Sequence, residues 1–492
     1  MSGAARPRVA IVGGGLAGLA AAVPLAERGL KVEIYEARRS LGGRAASFRD
    51  PATGELVDHC QHVSMGCCTN LADFCRRTGL DAAFRRDRVL HFFTADGTRA
   101  DLAASRWLPA PLHLGPALMG LRYLSLRDKL GIARAMWRLA RTELADEAAG
   151  PTMLTWLQAH GQSPAAIERF WSVVLVSALG ETLDRAGVPL ARKVFLDGFL
   201  RSREAYEVLV PLFPLRELLN ERLTPWLSRH HVDVRLGAAV EELAGAGGRV
   251  THLRLADGTK HEVDAAVLAV PWRRAASFVR EPSLVERLPE LAAVERIEDS
   301  PIAGVHLWFD RLITPLPHAV LVGTLGQWLF NRGSSAAVNA SGSVADGHDR
   351  EHYYQVVISA SRTLAGRDRA AVIEELLAEL GAIFPVARGA RLLRWRLVSE
   401  QAAVFSAAPG IERLRPPQRT SVPNFALAGD WTRTGWPSTM ESAVRSGYLA
   451  AEAVLTALGR PERLLAADIP AAWLARRLFP DSRRESSPPA GS

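Results

Sequence analysis

The N-terminal segment RVAIVGGGLAGLAAAVPLAERGLKVEIYE constrains the fold of this chain more than any other stretch. A short apolar strand, Val9–Val12, precedes the spacing Gly13-x-Gly15-x-x-Gly18, and an alanine- and leucine-rich helix and a second strand ending at Glu36 follow. Glycines in such a turn let the backbone approach a pyrophosphate, the helix N-terminus attracts its charge, and the acid accepts ribose hydrogen bonds. The segment therefore predicts an α/β, Rossmann-like domain that binds a dinucleotide.

A second glycine pair follows this unit, with Gly43 next to Arg44. A nicotinamide cofactor does not need such a pair, whereas the longer FAD gains a further glycine contact and a cation for its pyrophosphate. Gly43 and Arg44 therefore favour FAD, and an ordinary glycine turn is the alternative interpretation.

The segment LAGDWTRTGWPSTMESAVRSG near the C-terminus places Gly429 and Asp430 between a short apolar run and an amphipathic stretch. Together with the N-terminal motifs, it resembles the superfamily of FAD-dependent amine oxidases, phytoene desaturases and protoporphyrinogen oxidases. The resemblance implies that Arg44 touches the cofactor and that Asp430 hydrogen-bonds its ribityl or pyrophosphate region. It also implies that a helix beginning near Thr439 directs its N-terminus at the flavin ring. A capping carboxylate is the alternative for Asp430.

Two intermediate segments fit the same superfamily, in which separated stretches of chain build the cofactor domain. Val232–Leu243 resembles the strand and turn that contact adenine, near Val240, and Asp264–Trp272 resembles the strand that ends in Ala-Val-Pro beside the cofactor. The resemblance implies a glutathione-reductase type of FAD-binding domain made of discontinuous segments, with an α+β substrate domain.

The expected domain boundaries follow from these segments. Residues 1–95, 225–300 and 415–465 are expected to form the FAD-binding domain, and residues 96–225 and 300–415 the substrate domain. The last stretch, residues 470–492, is rich in Arg, Ser and Pro and is expected to be disordered.

The segment VDHCQHVSMGCCTNLADFCRRTGL resembles, together with the C-terminal motif, the hydroxysqualene dehydroxylases, also called squalene-associated FAD-dependent desaturases. His59-Cys60 stands where that family typically has Asn-Gly, and Cys68 where it has Tyr. The residues that match its pattern here are Asp58, Gln61, His62, Gly66 and Cys67.

The resemblance implies reductive removal of an allylic hydroxyl from a hydrophobic triterpenoid, with reduced FAD as the hydride source and an acid that protonates the departing hydroxyl. His62 is the first candidate for that acid because imidazole transfers protons near neutral pH, and Asp58 and Glu441 are the further candidates. A histidine that only satisfies the backbone is the alternative for His62.

Other activities on this scaffold remain open at the level of sequence. A carotenoid-type desaturase shares the cofactor motifs and would run oxidatively, and a lipid escort without flavin is a non-enzymatic alternative. An amine oxidase is disfavoured, because such enzymes often place a lysine near the flavin from a late segment and no lysine follows Lys260.

Charge and cysteine content limit the possible partners. The net charge is +8, and almost all of the positive charge is arginine. No base-reading motif accompanies it, so nucleic acid is not an expected partner. The cysteines Cys60, Cys67, Cys68 and Cys75 form no C-x-x-C pair, so reduced thiols in a cytoplasmic protein are expected, with no metal site.

A peripheral location at the inner membrane surface is expected because a thirty-carbon polyene is hard to extract from water. The candidate docking surface is Arg106–Leu124, flanked by Arg127, Lys129 and Arg134. No signal peptide and no transmembrane helix are expected. Core helices with solvated arginines are the alternative interpretation of this stretch, and the external electron donor is not identified by the sequence.

Overall fold

The computed structural model describes residues 6–51, 53–142, 150–336 and 350–479. The strands are, in chain order, β1 (Arg8–Val12), β2 (Lys31–Glu36), β3 (Ser47–Arg49), β4 (Leu56–Asp58), β5 (Ser64–Met65), β6 (Phe84–Asp87), β7 (Leu90–Thr94), β8 (Arg99–Leu102), β9 (Val208–Pro211), β10 (Asp233–Leu236), β11 (Val240–Ala246), β12 (Arg249–Leu255), β13 (Lys260–Glu262), β14 (Ala265–Leu268), β15 (Asp299–Phe309), β16 (His318–Val322), β17 (Trp328–Ala336), β18 (Arg350–Ile358), β19 (Leu392–Phe405) and β20 (Phe425–Leu427).

The α-helices lie between these strands, singly or in runs, and short 3₁₀ and π helices accompany them. They are α1 (Leu16–Glu27), α2 (Thr69–Thr78), α3 (Gly115–Gly120), α4 (Leu126–Arg141), α5 (Met153–Ala159), α6 (Pro164–Ala166), α7 (Val173–Leu179), α8 (Val188–Phe195), α9 (Thr224–Arg229), α10 (Trp272–Ala275), α11 (Pro282–Val285), α12 (Pro289–Ala293), α13 (Arg369–Ile383), α14 (Met440–Ala457) and α15 (Trp473–Leu478).

A parallel sheet in the order β10–β2–β1–β14–β20 joins strands that lie far apart in the chain. Its central strands β1 and β14 are buried at every position except Arg8, because helices α1 and α14 cover one face of the sheet and strands β11 and β12 pack against the other. Helix α1 is buried along almost its whole length, and α14 packs against it. The strands come from the three segments expected to build the cofactor domain, and the predicted α/β fold class is confirmed.

A second, mostly antiparallel sheet in the order β19–β15–β18–β17–β16–β7–β8 forms the other half of the molecule. Helix α13 packs on it through Val372, Ile373 and Leu376. Helices α3 and α7 pack on it through Ala117 and Val173. Strand β7 belongs to this sheet although it precedes the expected boundary at residue 95. It pairs in parallel with β16, a partner more than two hundred residues away that local sequence does not reveal.

Two further expectations about the chain can be compared with the structure. The expectation of disorder over residues 470–492 is wrong for Trp473–Leu478, which form α15, where Ala475 is fully buried. Residues 480–492 lie outside the described residues. Among the helices in the described ranges, none combines the length and the apolar character needed to cross a bilayer.

Candidate active site

One cavity of about 870 Å³ extends from the β1–α1 turn into the apolar interior of the molecule. Gly18 is the one predicted cofactor residue outside its lining, since it packs where an added Cβ would lie 2.1 Å from the Gly13 carbonyl oxygen. The other predicted cofactor residues line the cavity together: Gly13, Gly15, Glu36, Gly43, Arg44, Val240, Gly429 and Asp430.

The glycine turn presents bare backbone to this cavity. Gly13 has φ +109°, and an added Cβ would lie 2.4 Å from the Ala269 carbonyl oxygen, so no other residue fits there. Gly15 is different: the nearest atom to an added Cβ is the Gly43 Cα at 3.8 Å. A side chain at Gly15 would therefore fill open cavity, which is the space that a pyrophosphate needs beside the N-terminus of α1.

The Glu36 carboxylate is fixed at the end of β2 and faces the cavity. One oxygen accepts a hydrogen bond from the Gly14 N–H at 2.8 Å, and the other accepts one from the Arg38 N–H at 2.8 Å. Each carboxylate oxygen retains a free lone pair. Glu36 therefore fits the role of ribose acceptor that the sequence predicts for it.

Arg44 and Asp430 form a direct ion pair although they lie 386 positions apart in the chain. Arg44 also donates to the Ala403 carbonyl oxygen at 3.1 Å, and its guanidinium lies over the Trp272 ring. The Asp430 carboxylate accepts a second hydrogen bond, from the Ser438 hydroxyl. The N-terminal cofactor motif and the C-terminal Gly-Asp motif therefore meet in a charged pair at the wall of the cavity.

Helix α14 begins at this wall, as the sequence predicts. Thr439 caps it by accepting a hydrogen bond from the Ser442 N–H at 3.1 Å, and Thr439 and Met440 line the cavity. The N-terminal end of an α-helix carries partial positive charge. A ring that gains negative charge on reduction is stabilised at such a position.

The loop His59–His62 lines the same cavity. The His62 Nδ1 lies 3.0 Å from the Cys60 carbonyl oxygen, which can only accept, so Nδ1 carries a proton and Nε2 of the neutral ring is an acceptor. Burial lowers the pKa of His62, and the nearby charge of Asp58 opposes that shift. The buried Gln61 donates to the His62 carbonyl oxygen at 2.8 Å, and its Oε1 has no partner among the described residues.

The other two candidate acids do not line the cavity. Asp58 is buried beside His62 and accepts hydrogen bonds from the Ser47 hydroxyl and the Leu215 N–H, and burial raises its pKa. Glu441 is fully buried and accepts from the Asn70 and Leu71 N–H groups at the start of α2 and from Arg445. Glu441 is therefore held as a cap for α2, and its i,i+4 spacing to Arg445 is a sequence signal only for the ion pair within α14.

Aromatic side chains from many elements line the rest of the cavity, and the sequence analysis did not name them. Leu112 and Trp137 are exposed lining residues, so the cavity opens to solvent beside them. No local motif marks the aromatic lining residues, because they come from distant helices and strands. They include Phe92, Phe170, Phe195, Phe199, Tyr206, Trp328 and Phe330.

Arg415 is another residue without a sequence signal. It is fully buried, and its guanidinium donates to the Asp430 carbonyl oxygen at 2.9 Å and to the Thr432 carbonyl oxygen at 2.6 Å. It also pairs with Glu412. Arg415 therefore holds the Gly-Asp-Trp-Thr turn that carries Asp430.

The comparisons with known proteins agree with this geometry. The family model described as flavin containing amine oxidoreductase matches residues 16–455. A hydroxysqualene dehydroxylase of Rhodopseudomonas palustris is 30% identical over 465 residues, covering 91% of this chain and 98% of that protein. A zeta-carotene desaturase of a Synechocystis species is 27% identical over 487 residues, covering 91% and 97%.

Solved structures show the same fold at lower identity. The cyclohexylamine oxidase of Brevibacterium oxydans superposes with a TM-score of 0.65 at 18% identity, covering 92% of this chain and 100% of that one. The glycine turn, Glu36 and Arg44 fit FAD, the cofactor of this family. The chain therefore belongs to the family of flavin-containing amine oxidoreductases, with FAD as its cofactor.

Proposed function

We propose that this protein reductively dehydroxylates hydroxysqualene to squalene. The observation that carries the proposal is that the dinucleotide motif, the His59–His62 loop and a set of aromatic side chains line one and the same cavity. The two relatives at 30% identity that are named hydroxysqualene dehydroxylase support the same reaction. The residues we assign to FAD are the glycines of the turn, Glu36, Val240, the Arg44–Asp430 pair and Gly429.

His62 and Gln61 are placed to handle the leaving hydroxyl. The unpartnered Gln61 Oε1 accepts a hydrogen bond from the substrate hydroxyl, which positions its oxygen. Protonated His62 keeps its Nδ1–H hydrogen-bonded to the Cys60 carbonyl oxygen. Its Nε2–H donates to the oxygen of the substrate hydroxyl. The C–O bond breaks as the proton moves from Nε2, and water leaves. Reduced FAD, when bound, supplies the hydride that replaces the hydroxyl.

Asp58 is assigned a supporting role behind His62. It does not line the cavity, but its negative charge partly offsets the lowering of the His62 pKa by burial. The aromatic lining keeps water away from the allylic carbon, which carries positive charge as the C–O bond breaks. Asp58 therefore favours the protonated imidazole, while the chamber protects the reacting carbon.

Anaerobic product analysis tests the proposal. The FAD-loaded protein is reduced, freed of excess reductant and mixed with hydroxysqualene, and both the flavin absorbance and the lipid products are followed. We expect flavin oxidation with one squalene formed per flavin oxidised. Flavin that stays reduced, with hydroxysqualene unchanged, would contradict the reaction.

A carotene desaturase is the second candidate, because a relative named zeta-carotene desaturase covers the same 91% of the chain at 27% identity. That activity removes hydrogen from a polyene and therefore requires oxidised flavin. Phytoene and zeta-carotene, mixed with the oxidised protein in the same apparatus, distinguish the two: flavin reduction by either polyene, without squalene formation in the first assay, selects the desaturase.

The surface beside the cavity opening is the proposed site of membrane contact. Trp107 and Leu112 within the candidate docking surface are 89% and 50% exposed, and Leu126 and Leu130 of the adjoining helix α4 are 65% and 59% exposed. Leu112 also lines the cavity. Exposed apolar side chains beside basic residues fit an anionic lipid surface, which would deliver an apolar substrate directly to the opening.

Vesicle sedimentation tests this contact. The double variant Trp107→Ser, Leu112→Ser is compared with Val285→Ser, which removes from α11 an apolar side chain about as exposed as Leu112. With phosphatidylglycerol vesicles, we expect the double variant to stay in the supernatant and Val285→Ser to sediment like the unchanged protein. Equal sedimentation of all three proteins would exclude this surface.

A further inference from the structure

A second cavity, of about 650 Å³, lies on the other side of strand β19 from the flavin cavity. Val398 and Glu400 line the first cavity, whereas Leu397, Ser399 and Gln401 line the second. Successive side chains of a strand point to opposite faces of a sheet. The two cavities are therefore separated by the sheet, and the second one is not a branch of the site described above.

Charged side chains of both signs surround this second cavity. Its lining carries Arg273, Arg362, Arg367 and Arg369 against two carboxylates, Glu298 and Asp299. A third carboxylate, Asp368, caps the adjoining helix α13.

Most of these charged groups are already paired. Arg273 binds Asp299, Arg362 binds the buried Glu181, Arg367 binds Glu375, and Glu298 binds Arg185.

Arg369 differs from the other three arginines. It is exposed at the first position of the 15-residue helix α13, and no carboxylate of the described residues forms an ion pair with it. The Asp368 side chain accepts from the Ala371 N–H at 2.9 Å, which leaves the Arg369 and Ala370 N–H groups without an acceptor in the described part of the chain. The first N–H groups of a helix attract anions.

An independent feature of the cavity also points to a ligand. Ser361 lines the cavity and is only 4% exposed, and its hydroxyl has no hydrogen-bond partner among the described residues. A buried hydroxyl without a partner is unfavourable, and native proteins rarely leave one in that state. An oxyanion in the cavity would accept a hydrogen bond from Ser361 and from the free N–H groups of α13 while it pairs with Arg369.

We propose that this cavity binds a phosphorylated small molecule through its phosphate groups, a binding site separate from the flavin and independent of the proposed reaction. Arg273, Arg369 and Gln401 in its lining are exposed, so the cavity is open to solutes in the surrounding water. None of the large apolar side chains that are exposed in the described residues lines this cavity, so its surroundings do not suit insertion into a lipid surface. A soluble phosphate ester is therefore favoured over a lipid headgroup.

Calorimetric titration with inorganic diphosphate tests the site. The protein is loaded with FAD so that the first cavity is occupied, and flavin absorbance is followed after ultrafiltration. We expect saturable binding of one diphosphate, and about tenfold weaker binding in Ser361→Ala and in Arg369→Gln, because each loses one charge-assisted contact. Arg249→Gln, which removes an exposed arginine from β12 outside both cavities, should bind like the unchanged protein.

Three outcomes would overturn the proposal. They are the absence of saturable binding, equal affinity in all variants, and release of FAD during the titration, which would place the diphosphate in the first cavity. The unfolding temperature of each variant without diphosphate shows whether it is folded. Sedimentation with phosphatidylglycerol vesicles separates the two sources of phosphate: Arg369→Gln should not change it, and a loss of sedimentation would indicate a lipid headgroup instead.

Discussion

The two ends of the main cavity are built in different ways. At the cofactor end, backbone and a few charged groups do the work: Gly15 is bare, Glu36 is held by two N–H groups, and Arg44 is paired with Asp430. At the other end, aromatic side chains from distant elements form the wall. Short motifs can encode the first kind of surface, whereas the second tolerates many sequences because apolar side chains of similar volume can replace one another. A family with this architecture can keep its cofactor and change its substrate.

The largest expected effect is that of replacing His62. This residue belongs to the polar loop His59–His62, which lines the same cavity as the cofactor motifs and the aromatic side chains. His62→Gln should slow dehydroxylation by about 10² to 10⁴-fold, the usual contribution of a general acid, while flavin binding stays normal. Because burial lowers the pKa of His62, the acid form accumulates only below the ordinary value near 6.5. The single-turnover rate should therefore rise as the pH falls through that lowered pKa.

The variant supplies the control for this pH dependence. In His62→Gln the rise at low pH should be absent, measured as flavin oxidation by hydroxysqualene at a series of pH values. A variant that keeps the same pH profile would show that another group donates the proton.

The next effect tests the cofactor end. Gly15→Val should weaken FAD binding by about a hundredfold, since the new side chain occupies cavity space beside the turn. Overall folding should survive, because an added Cβ meets nothing closer than 3.8 Å. Flavin fluorescence titration measures the affinity, and Gly131→Ala on α4 is the matched control. Undiminished flavin binding in Gly15→Val would show that the pyrophosphate does not lie at this turn.

Breaking the ion pair between Arg44 and Asp430 should have a smaller effect. Asp430→Asn should reduce the free energy of FAD binding by about 2 kcal/mol, since hydrogen bonds to charged groups contribute about that much. A double-mutant cycle with Arg44→Gln separates the pair from its members. If the two substitutions add in the FAD affinity without any coupling, the pair does not act as a unit in cofactor binding.

The smallest effect is expected from a single side chain at the aromatic end. Phe199→Ala should raise the KM for hydroxysqualene about tenfold, because one half-buried ring contributes about 1.5 kcal/mol of apolar contact. Flavin affinity should stay unchanged. A parallel loss of flavin affinity would mean that the cofactor end and the aromatic end of the cavity do not act independently.

The role of a residue can be predicted from the sequence when its surroundings come from the same short segment, and not when they come from distant segments. Gly13 and Gly15 could be predicted because a strand, a turn and a helix in one segment determine their environment. Glu441 is a plausible acid by its position in the sequence, yet its carboxylate caps α2 by accepting from the N–H of Asn70, a residue 371 positions earlier in the chain. Arg415 and Ser361 carried no signal, because the groups that surround them are set by packing.

The amino-acid sequence by itself determined the α/β fold and the dinucleotide turn, because these depend on spacings within short segments, and it favoured FAD through Gly43, Arg44 and the resemblance to a flavin-dependent superfamily. Only the tertiary structure decided which carboxylates face the cavity, where the aromatic chamber lies and that a second cavity surrounded by charged side chains exists behind β19. Those features depend on contacts between residues hundreds of positions apart, and burial and pairing assign the role of each charge there. The meeting of Arg44 and Asp430 shows both sources at once, since motifs marked the two residues and folding brought them together.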